Sequence, residues 1–319
     1  MAKAAISQIH GHPKYERLIA AARNHEALPT AVAHPCDDAS LSGAIEAAQS
    51  GLIIPLLVGP KEKIQNVANT LGVDIAKFKL FDVPHSQAAA GKAVELVREG
   101  RAELLMKGSL HSDELLGAVT KRETGLRTGR RISHVFVMDV PTHHQTLFVT
   151  DAAVNIAPDL VAKRDIVQNA IDLFVGLGLG KPKVAILSAV ETVTPAITST
   201  IDAAALCKMA DRGQITGGEL DGPLAFDNAI SPDAARIKGI KSPVAGQAQI
   251  LVVPDLEAGN MLAKNLTFIS NADAAGIVLG ARVPIILTSR ADNVRTRMAS
   301  CAVAMLLAHS RRTNAPIRA

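Results

Sequence analysis

The residues best suited to chemistry form one short stretch near the C-terminus that contains Ser289, Arg290 and Asp292. A guanidinium can bind two oxygens of a phosphate at once, and a neighbouring hydroxyl can donate a further hydrogen bond. The stretch lies between the apolar run Pro284–Leu287 and a helical pattern that begins near Val294. Where a parallel strand meets a helix, N–H groups and the helix dipole favour an anion. The stretch therefore predicts a phosphate site, and the alternative is that Ser289 caps the helix while Arg290 lies on the surface.

A second candidate for anion binding follows the extended run Glu103–Met106. Lys107 carries a positive charge, and Gly108 lets the backbone approach a ligand closely because it has no side chain. Ser112 is then predicted to cap the next helix. An exposed lysine beside a turn glycine would explain the same residues without any ligand, so both interpretations remain open.

A cluster of basic residues lies between Lys121 and Arg131 and includes Arg130. Such a cluster is usually a solvated loop, but it can also attract the phosphates of a nucleotide. The formal net charge of the whole chain is only +4, and aromatic residues make up 3% of it, with no tryptophan. Because stacking platforms and a basic face are both missing, the composition favours small anionic ligands and argues against nucleic acid.

Two other motifs resemble ligand-binding sites, but their sequence context argues against that function. Gly176–Lys181 is glycine-rich, but it ends a predicted helix and precedes a strand, whereas nucleotide-binding loops follow a strand and open a helix. His143 and His144 are adjacent on an extended segment, so they point to opposite faces, and no third ligand lies at a familiar spacing. The sequence therefore predicts no metal site.

Alternating strands and helices must position these residues. Strands are predicted at 30–33, 52–58, 79–83, 103–106, 132–140, 146–150, 184–188, 250–253 and 284–287. Helices are predicted at 15–23, 41–49, 60–71, 87–98, 159–177 and 197–212, with others that begin at 112, end near 266 and begin near 294. Single helices between strands imply right-handed βαβ units and a parallel sheet. Gly217–Asp227 is predicted to be a long irregular segment, of a kind that is more often functional than idle.

Length and composition set the scale of the fold. A chain of 319 residues more often forms two lobes than one, and a core in a chain so poor in aromatics must be aliphatic. Cys36, Cys207 and Cys301 are far apart and odd in number, which favours reduced thiols, as small core residues, in a cytoplasmic protein. Residues 1–17 contain no signal-peptide pattern and the apolar runs are strand-sized, so no membrane association is expected.

Several stretches together carry a resemblance to one enzyme family. They are Leu105–Gly108, Asp151 with Asn155, Lys183–Ser188, Gly218–Pro223 with Asp227, Val244–Gly246, Val253–Asn260 and Pro284–Arg290. With these residues the chain resembles the phosphate acetyltransferase and phosphate butyryltransferase family, from about residue 100 to the C-terminus. The segment Pro-Asp-Leu-Glu-Ala-Gly-Asn that ends at Asn260 is highly specific.

The resemblance implies a fold of the α/β class. Two lobes of mostly parallel sheet, with helices on both faces, would be arranged as in isocitrate and isopropylmalate dehydrogenases. The first lobe would contain residues 1–141 and 281–319 and the second residues 142–280, with the active-site cleft between them. The resemblance also implies a homodimer.

The activity implied by the resemblance is reversible transfer of a short acyl group, acetyl or butyryl, between coenzyme A and inorganic phosphate. Coenzyme A is a substrate, and no metal or other cofactor takes part. Arg290 would hold the phosphoryl oxygens, and Ser289 would donate a hydrogen bond at the reacting centre. Acetyl-specific members carry an aspartate, their proposed base, six residues after this arginine, where this chain has Thr296. The nearest acid is Asp292, and the Thr-Ser-Arg-Ala-Asp motif is closer to that of the butyryl branch.

The substrate-binding residues predicted with this resemblance lie mainly at strand ends and in polar loops. They are Lys107, Gly108, Arg130, Arg131, Ser133, Asp151, Asn155, Asp227, Gly259 and Asn260. Two functions remain as alternatives: an NAD(P)-linked, metal-dependent dehydrogenase of the same fold, and a non-catalytic regulator that binds coenzyme A.

Overall fold

The structure of the protein is a computed structural model that describes residues 12–288 and 292–313. The chain forms two compact units. Unit 1 comprises Arg131–Ala274 with the segment that ends at Lys14, and unit 2 comprises Tyr15–Arg130 with the segment that begins at Ala275. The expected lobes change after residues 141 and 280, whereas the units change after residues 130 and 274.

Strands and helices alternate along the described chain. The strands are β1 (Leu28–Ala33), β2 (Ile53–Gly59), β3 (Lys79–Asp82), β4 (Leu104–Lys107), β5 (Ser133–Asp139), β6 (Leu147–Thr150), β7 (Lys183–Leu187), β8 (Glu219–Leu224), β9 (Ile250–Val252), β10 (Asp273–Leu279) and β11 (Ile285–Ile286). The helices are α1 (Pro13–Ala22), α2 (Asp38–Gln49), α3 (Lys61–Leu71), α4 (Ser86–Arg98), α5 (Ser112–Thr120), α6 (Leu160–Gly176), α7 (Thr198–Asp211), α8 (Phe226–Ile230), α9 (Pro232–Ile237), α10 (Leu256–Phe268) and α11 (Val294–Thr313). The prediction of an α/β fold with mostly parallel pairing is confirmed.

The strands of unit 2 lie in the order β3-β2-β1-β4-β11-β10. Neighbours are parallel except β11 and β10, which are antiparallel. The strand predicted at 284–287 is therefore shorter than expected and parallel only to β4. Because β1, β4 and β11 run in one direction, the residues that follow them meet at one edge of the sheet, where ligands bind in open α/β folds.

The strands of unit 1 lie in the order β5-β6-β9-β7-β8. β5 and β6 are antiparallel, and the remaining neighbours are parallel. The predicted lobe boundary at residue 141 lies in the turn that joins these two strands and would place them in different lobes. Their hydrogen-bonded ladder instead keeps β5 in unit 1, which is why the unit begins at Arg131.

Aliphatic side chains fill both cores, as the composition predicts. Leu57, Leu105 and Ile286 are fully buried in unit 2, and Val149 and Leu251 are fully buried in unit 1. The single tyrosine of the sequence is also buried in unit 2, where its hydroxyl accepts a hydrogen bond from a backbone N–H. Among the described helices, none has both the length and the apolar character needed to cross a membrane.

The prediction of an irregular segment at Gly217–Asp227 is wrong. β8 pairs with β7 at the edge of the unit 1 sheet, and α8 follows it. Gly218 packs so closely that a Cβ there would lie 2.9 Å from the Ile171 side chain. Edge strands tolerate polar residues and proline because one of their edges faces water, so the sequence of this strand lacks an apolar pattern.

Ser112 is the first residue of α5 and not its cap, so this prediction is wrong by one position. His111 occupies the cap position, and its backbone N–H donates to Oε2 of Glu114 over 2.9 Å. Glu114 also accepts a hydrogen bond from the Ser86 hydroxyl, which with the His111 bond lowers the pKa of Glu114.

Candidate functional site

The loops that follow β1 and β4 approach each other more closely than side chains would allow. A Cβ at Gly108 would lie 2.3 Å from the carbonyl oxygen of Ala33 and 2.5 Å from that of His34. The N–H of Gly108 donates to Ala33 O over 2.9 Å, and the N–H of Ser109 donates to His34 O over 2.9 Å. Gly108 is therefore required by the fold as well as suited to a ligand.

Lys107 is buried at the end of β4. Its residue exposure is 8%, and its Nζ donates to the carbonyl oxygen of Gly108 over 3.2 Å. A buried ammonium is costly unless polar groups or an anion surround it. The alternative in which this lysine is an exposed surface residue is therefore wrong.

A cavity in unit 2 joins Lys107 to three other parts of the chain. Its lining consists of Asp37, Ala39, Ser40, Lys107, Gly108, Thr288 and Arg297. Asp37 caps α2, since its Oδ1 accepts the N–H of Ser40 over 2.8 Å. The helix N-terminus adds partial positive charge to the full charges of Lys107 and Arg297, so the cavity suits a small anion.

The predicted catalytic residues Ser289 and Arg290 lie outside the described residues. Thr288, which precedes them, lines the cavity, and Asp292 is half-buried just before α11. The N–H of Thr296 in the first turn of α11 donates to Oδ1 of Asn293 over 2.8 Å. Because Asn293 supplies a capping hydrogen bond at this helix end, the structure gives no support to the alternative in which Ser289 is the cap.

In unit 1, the loop after β6 is organised around Asp151. Its buried carboxylate accepts hydrogen bonds from the backbone N–H groups of Ala153, Val154 and Asn155, at 3.0 to 3.1 Å. The Asn155 amide donates to the same carboxylate over 2.5 Å and to Ile132 O over 2.8 Å. The carboxylate therefore fixes the course of this loop.

Two further predicted binding residues join this network. Arg131 donates from Nε to Oδ1 of Asn155 over 2.9 Å, and its backbone N–H donates to Asp165 over 2.9 Å. Ser133 is fully buried, and its hydroxyl accepts from Asn169 over 2.9 Å. Because both amide hydrogens of Asn155 are used within the protein, Asn155 positions its neighbours in this structure.

The segment that carries the most specific resemblance packs onto the same loop. Asp255 caps α10, and its Oδ1 accepts the N–H of Ala258 over 2.8 Å. A Cβ at Gly259 would lie 2.8 Å from the carbonyl oxygen of Asp151, and Asn260 donates to Ala152 O over 3.3 Å. The structure thus brings Arg131, Asp151, Asn155, Gly259 and Asn260 together in unit 1.

Asp227 belongs to a different cluster. It follows β8, which two strands separate from β6, and it forms an ion pair with Lys238 at 3.3 Å. Lys238 also lies 3.3 Å from Glu191. A backbone hydrogen bond from Asn228, supported by Lys238, lowers the pKa of Asp227. The carboxylate is therefore ionised at neutral pH and partnered within the protein.

Arg130 is half-buried, and its backbone N–H donates to the Thr128 hydroxyl over 3.1 Å. That hydroxyl donates to the carbonyl oxygen of Gly280 over 2.6 Å. These bonds tie the end of the basic cluster to the strand region of unit 2. The prediction that the cluster binds phosphates of coenzyme A stays a prediction.

The three cysteines are free thiols in different surroundings. Cys301 is buried, as predicted, whereas Cys36 and Cys207 are only partly buried. Desolvation raises the pKa of Cys36 to about 11 and the pKa of both Cys207 and Cys301 to about 12. These thiols stay protonated at neutral pH, so the protein does not offer them as thiolate nucleophiles.

His143 and His144 have ring centroids 4.9 Å apart, and burial lowers the pKa of His143. Across residues 12–288 and 292–313, no group of three or more His, Cys, Asp and Glu side chains is arranged to hold a metal ion.

Asp37, Ser40 and Arg297 line the cavity, but they were not predicted as site residues from the sequence. A local signal existed for the first two, because Asp37 precedes a helical pattern and so suits a cap. Arg297 had a weaker signal, since it is a charged residue within the apolar helix α11. Its burial beside the cavity depends on where α2 and β4 lie.

The chain was compared with known proteins. Residues 85–305 match a family described as phosphate acetyl/butaryl transferase. The chain is 73% identical over 299 residues to a phosphate acetyltransferase of Rhizobium meliloti, and the match covers 94% of this chain and 95% of that protein. It is 41% identical over 294 residues to a phosphate butyryltransferase of Clostridium acetobutylicum, with 92% and 98% covered.

A solved structure has the same overall architecture. It is that of a branched-chain phosphotransacylase from Enterococcus faecalis V583, with a TM-score of 0.76 at 30% sequence identity, and the match covers 88% of this chain and 99% of that one. The family match alone spans well over half of the sequence. This chain belongs to the phosphate acetyltransferase and phosphate butyryltransferase family of acyltransferases.

Proposed function

We propose that this enzyme transfers an acyl group reversibly between coenzyme A and inorganic phosphate. The observation that carries the proposal is 73% identity to a phosphate acetyltransferase over nearly the full length of both chains. The small cationic cavity of unit 2 supports it, because the reaction needs a place for a phosphoryl group beside the residues that precede α11.

The reaction sets three demands on the protein. In one direction the sulfur of coenzyme A attacks the carbonyl carbon of an acyl phosphate, while a base accepts the thiol proton. The tetrahedral adduct then collapses: the bond between the carbonyl carbon and the phosphate oxygen breaks, phosphate leaves, and the thioester forms. The protein must therefore hold the phosphoryl group, stabilise the oxyanion of the adduct and assist proton transfer.

We assign the first two tasks to Arg290 and Ser289, as the family resemblance implies. The planar guanidinium can bind two phosphoryl oxygens, and the hydroxyl can donate to the reacting group. Lys107 adds a buried positive charge at the end of β4. Arg130 and Arg131 are assigned to the phosphates of coenzyme A, where clustered positive charge raises the local concentration of an anion.

The residue that acts as the base differs between this chain and its acetyl-specific relatives. Thr296 occupies the position where acetyl-specific relatives carry aspartate, and it is buried with its backbone N–H bound by Asn293. A threonine hydroxyl does not accept a proton at neutral pH. Asp292 is the acid nearest to Arg290 in sequence, and we assign it as the base, with a contribution of roughly 10²–10⁴-fold in rate.

Acetyl is the acyl group we propose as preferred, because the acetyltransferase relative is much more similar than the butyryltransferase relative. The Thr-Ser-Arg-Ala-Asp motif instead resembles that of the butyryl branch. A two-lobe architecture of the isocitrate dehydrogenase type, a homodimer, a cytoplasmic location and a reaction without metal or other cofactor stay predictions of the sequence.

One assay tests the function. Thiol release is followed with acetyl-CoA and with butyryl-CoA, each with and without inorganic phosphate, in the absence of NAD. We expect release that depends on phosphate and a higher kcat/KM for acetyl-CoA. Release that ignores phosphate, or none at all, would reject the proposed function, and a preference for butyryl-CoA would reject only the choice of acyl group.

A further inference from the structure

Arg297 is a buried charge for which the family resemblance offers no role. It lies in the first turns of α11 with 8% exposure, and its Nε has no hydrogen-bond partner among residues 12–288 and 292–313. Arginine keeps its charge at any physiological pH, so it cannot relieve burial by losing a proton. A buried guanidinium with an unpartnered Nε is costly in a folded protein, and an anion beside it would offset that cost.

Tight packing on α2 directs the side chain. A Cβ at Gly43 would lie 2.8 Å from Cδ of Arg297 and 3.1 Å from its Nε, so the stem of the arginine fills the space that this glycine leaves open. Arg297 reaches the cavity that Lys107 and the N-terminus of α2 also line. The position of the guanidinium is thus built into the contact of two helices.

Among the described residues that line the cavity, positive charges outnumber negative ones. Lys107 and Arg297 contribute two cations, and Asp37 contributes one carboxylate. One oxygen of Asp37 is already bound to the Ser40 N–H of the helix cap. The N-terminus of a 12-residue helix adds further positive potential, so the cavity as a whole attracts an anion.

The size of the cavity limits which anion fits. Its empty volume is about 230 Å³ even with adjoining solvent included. Because this volume includes open solvent, it is an upper bound on what the cavity can hold. A tetrahedral oxyanion therefore fits better than the nucleotide part of coenzyme A.

We propose that Arg297 binds the phosphate of the acyl-transfer reaction, as inorganic phosphate in one direction and as the phosphoryl group of the acyl phosphate in the other. The inference rests on the proposed function, and it adds to Arg290 a second arginine that the motif does not contain. Thr288, which lines the cavity, is the residue directly before Ser289. Arg297 holds phosphate equally in the ground state and the transition state, whereas Arg290 acts mainly on the transition state.

Steady-state kinetics of Arg297→Gln separate these roles. A hydrogen bond to a charged group contributes about 1.5–3 kcal/mol, so we expect KM for phosphate to rise roughly 10- to 100-fold. KM for acetyl-CoA and kcat should each stay within about threefold of wild type, because uniform binding of phosphate is what is lost.

Arg312→Gln is the matched control. Arg312 lies on the same helix, and its charge pairs with Glu103 at the protein surface. This variant makes the same change in net charge away from the cavity, so its KM for phosphate should equal that of wild type. Equal values of this KM in Arg297→Gln and Arg312→Gln would overturn the proposal.

Two further variants decide the question if Arg297→Gln does not fold. Gly43→Ala keeps the arginine but places a methyl group against its Cδ and Nε, so KM for phosphate should rise by less than in Arg297→Gln. Arg297→Lys keeps the charge but lacks the planar fork, and it should also raise this KM. Wild-type values in both variants would contradict the role of Arg297.

A binding measurement distinguishes failure of this inference from failure of the proposed function. Phosphate should raise Tm of wild type and of Arg312→Gln, and it should raise Tm of Arg297→Gln much less, because a ligand stabilises the form that binds it. If the three proteins show these Tm shifts but wild type has no acyl-transfer activity, the anion site is supported and the proposed function is contradicted. If wild type is active but phosphate raises Tm equally in all three proteins, only the role of Arg297 is contradicted.

Discussion

The polar loop after β6 in unit 1 and the cavity of unit 2 use charge in opposite ways. Asp151 is surrounded by donors that the protein itself supplies, namely three backbone N–H groups and the Asn155 amide. Arg297 is also buried, yet its Nε has no partner within the described chain. A saturated charge holds a loop in place, whereas an unsaturated one is held in place by the fold and remains available to a ligand. Buried charges therefore divide into those that shape a loop and those that can bind a ligand.

The largest effect is expected for Arg290→Lys, which tests whether a predicted binding residue acts in the transition state. An ammonium cannot reproduce the planar fork that orients two phosphoryl oxygens. We expect kcat/KM to fall by about 10²–10³ while Tm stays near that of wild type. Phosphate-dependent thiol release and thermal unfolding are measured on the same preparation. A less stable variant with normal activity would show a structural arginine and contradict the assignment.

Asp151→Ala tests the role of a buried charge whose hydrogen-bond donors are supplied by the protein itself. Removal of the carboxylate leaves three buried backbone N–H groups and one amide without their acceptor, so we expect the free energy of unfolding to fall by about 3 kcal/mol. Urea denaturation followed by circular dichroism measures this change. Asp227→Ala is the control, because its carboxylate lies in an exposed cluster with Lys238, and it should unfold like wild type. An Asp151→Ala protein as stable as wild type but inactive would make Asp151 a binding residue.

The same region should make the protein sensitive to acid. His134 in β5 is fully buried beside Phe136, and desolvation lowers its pKa to about 4 from an ordinary value of 6.5, with Asp151 opposing the shift. The unfolded chain therefore binds a proton that the folded chain rejects. Stability contributed by this group is complete above pH 6.5 and is lost as pH falls toward 4, by up to about 3 kcal/mol.

His134→Gln removes this proton linkage. The difference in unfolding free energy between pH 7 and pH 4.5 should be smaller in the variant than in wild type, as measured by urea denaturation at both pH values. Identical differences in the two proteins would show that His134 does not carry the acid sensitivity.

The smallest effect is expected at the basic cluster. Arg130→Ala combined with Arg131→Ala should weaken binding of coenzyme A by roughly tenfold at low salt, and the difference should shrink as salt screens the charges. Equilibrium binding at two ionic strengths measures this. Arg236→Ala is the control, since that arginine is exposed and pairs with Asp233 at 3.0 Å. Unchanged affinity at low salt would assign the cluster to structure alone, as the bond from Arg131 to Asn155 already suggests for one of its members.

The alternation of strands and helices, the aliphatic core and the family could all be predicted from the amino-acid sequence. Local periodicity records which face of an element is buried, and short motifs such as Val253–Asn260 are specific enough to identify relatives. The sequence also placed Lys107, Gly108 and Asp151 at strand ends, because they come shortly after apolar runs.

The contacts that those residues make follow only from the three-dimensional arrangement of the chain. β8 lacked an apolar pattern because it is an edge strand, and Lys107 is buried at the end of β4, where the loops after β1 and β4 meet at Gly108. Arg297 is a charged residue in an apolar helix when viewed locally. Its contact with Gly43 and its place beside Lys107 join segments far apart in the chain. Such contacts follow from how helices pack on a sheet, which local periodicity does not encode.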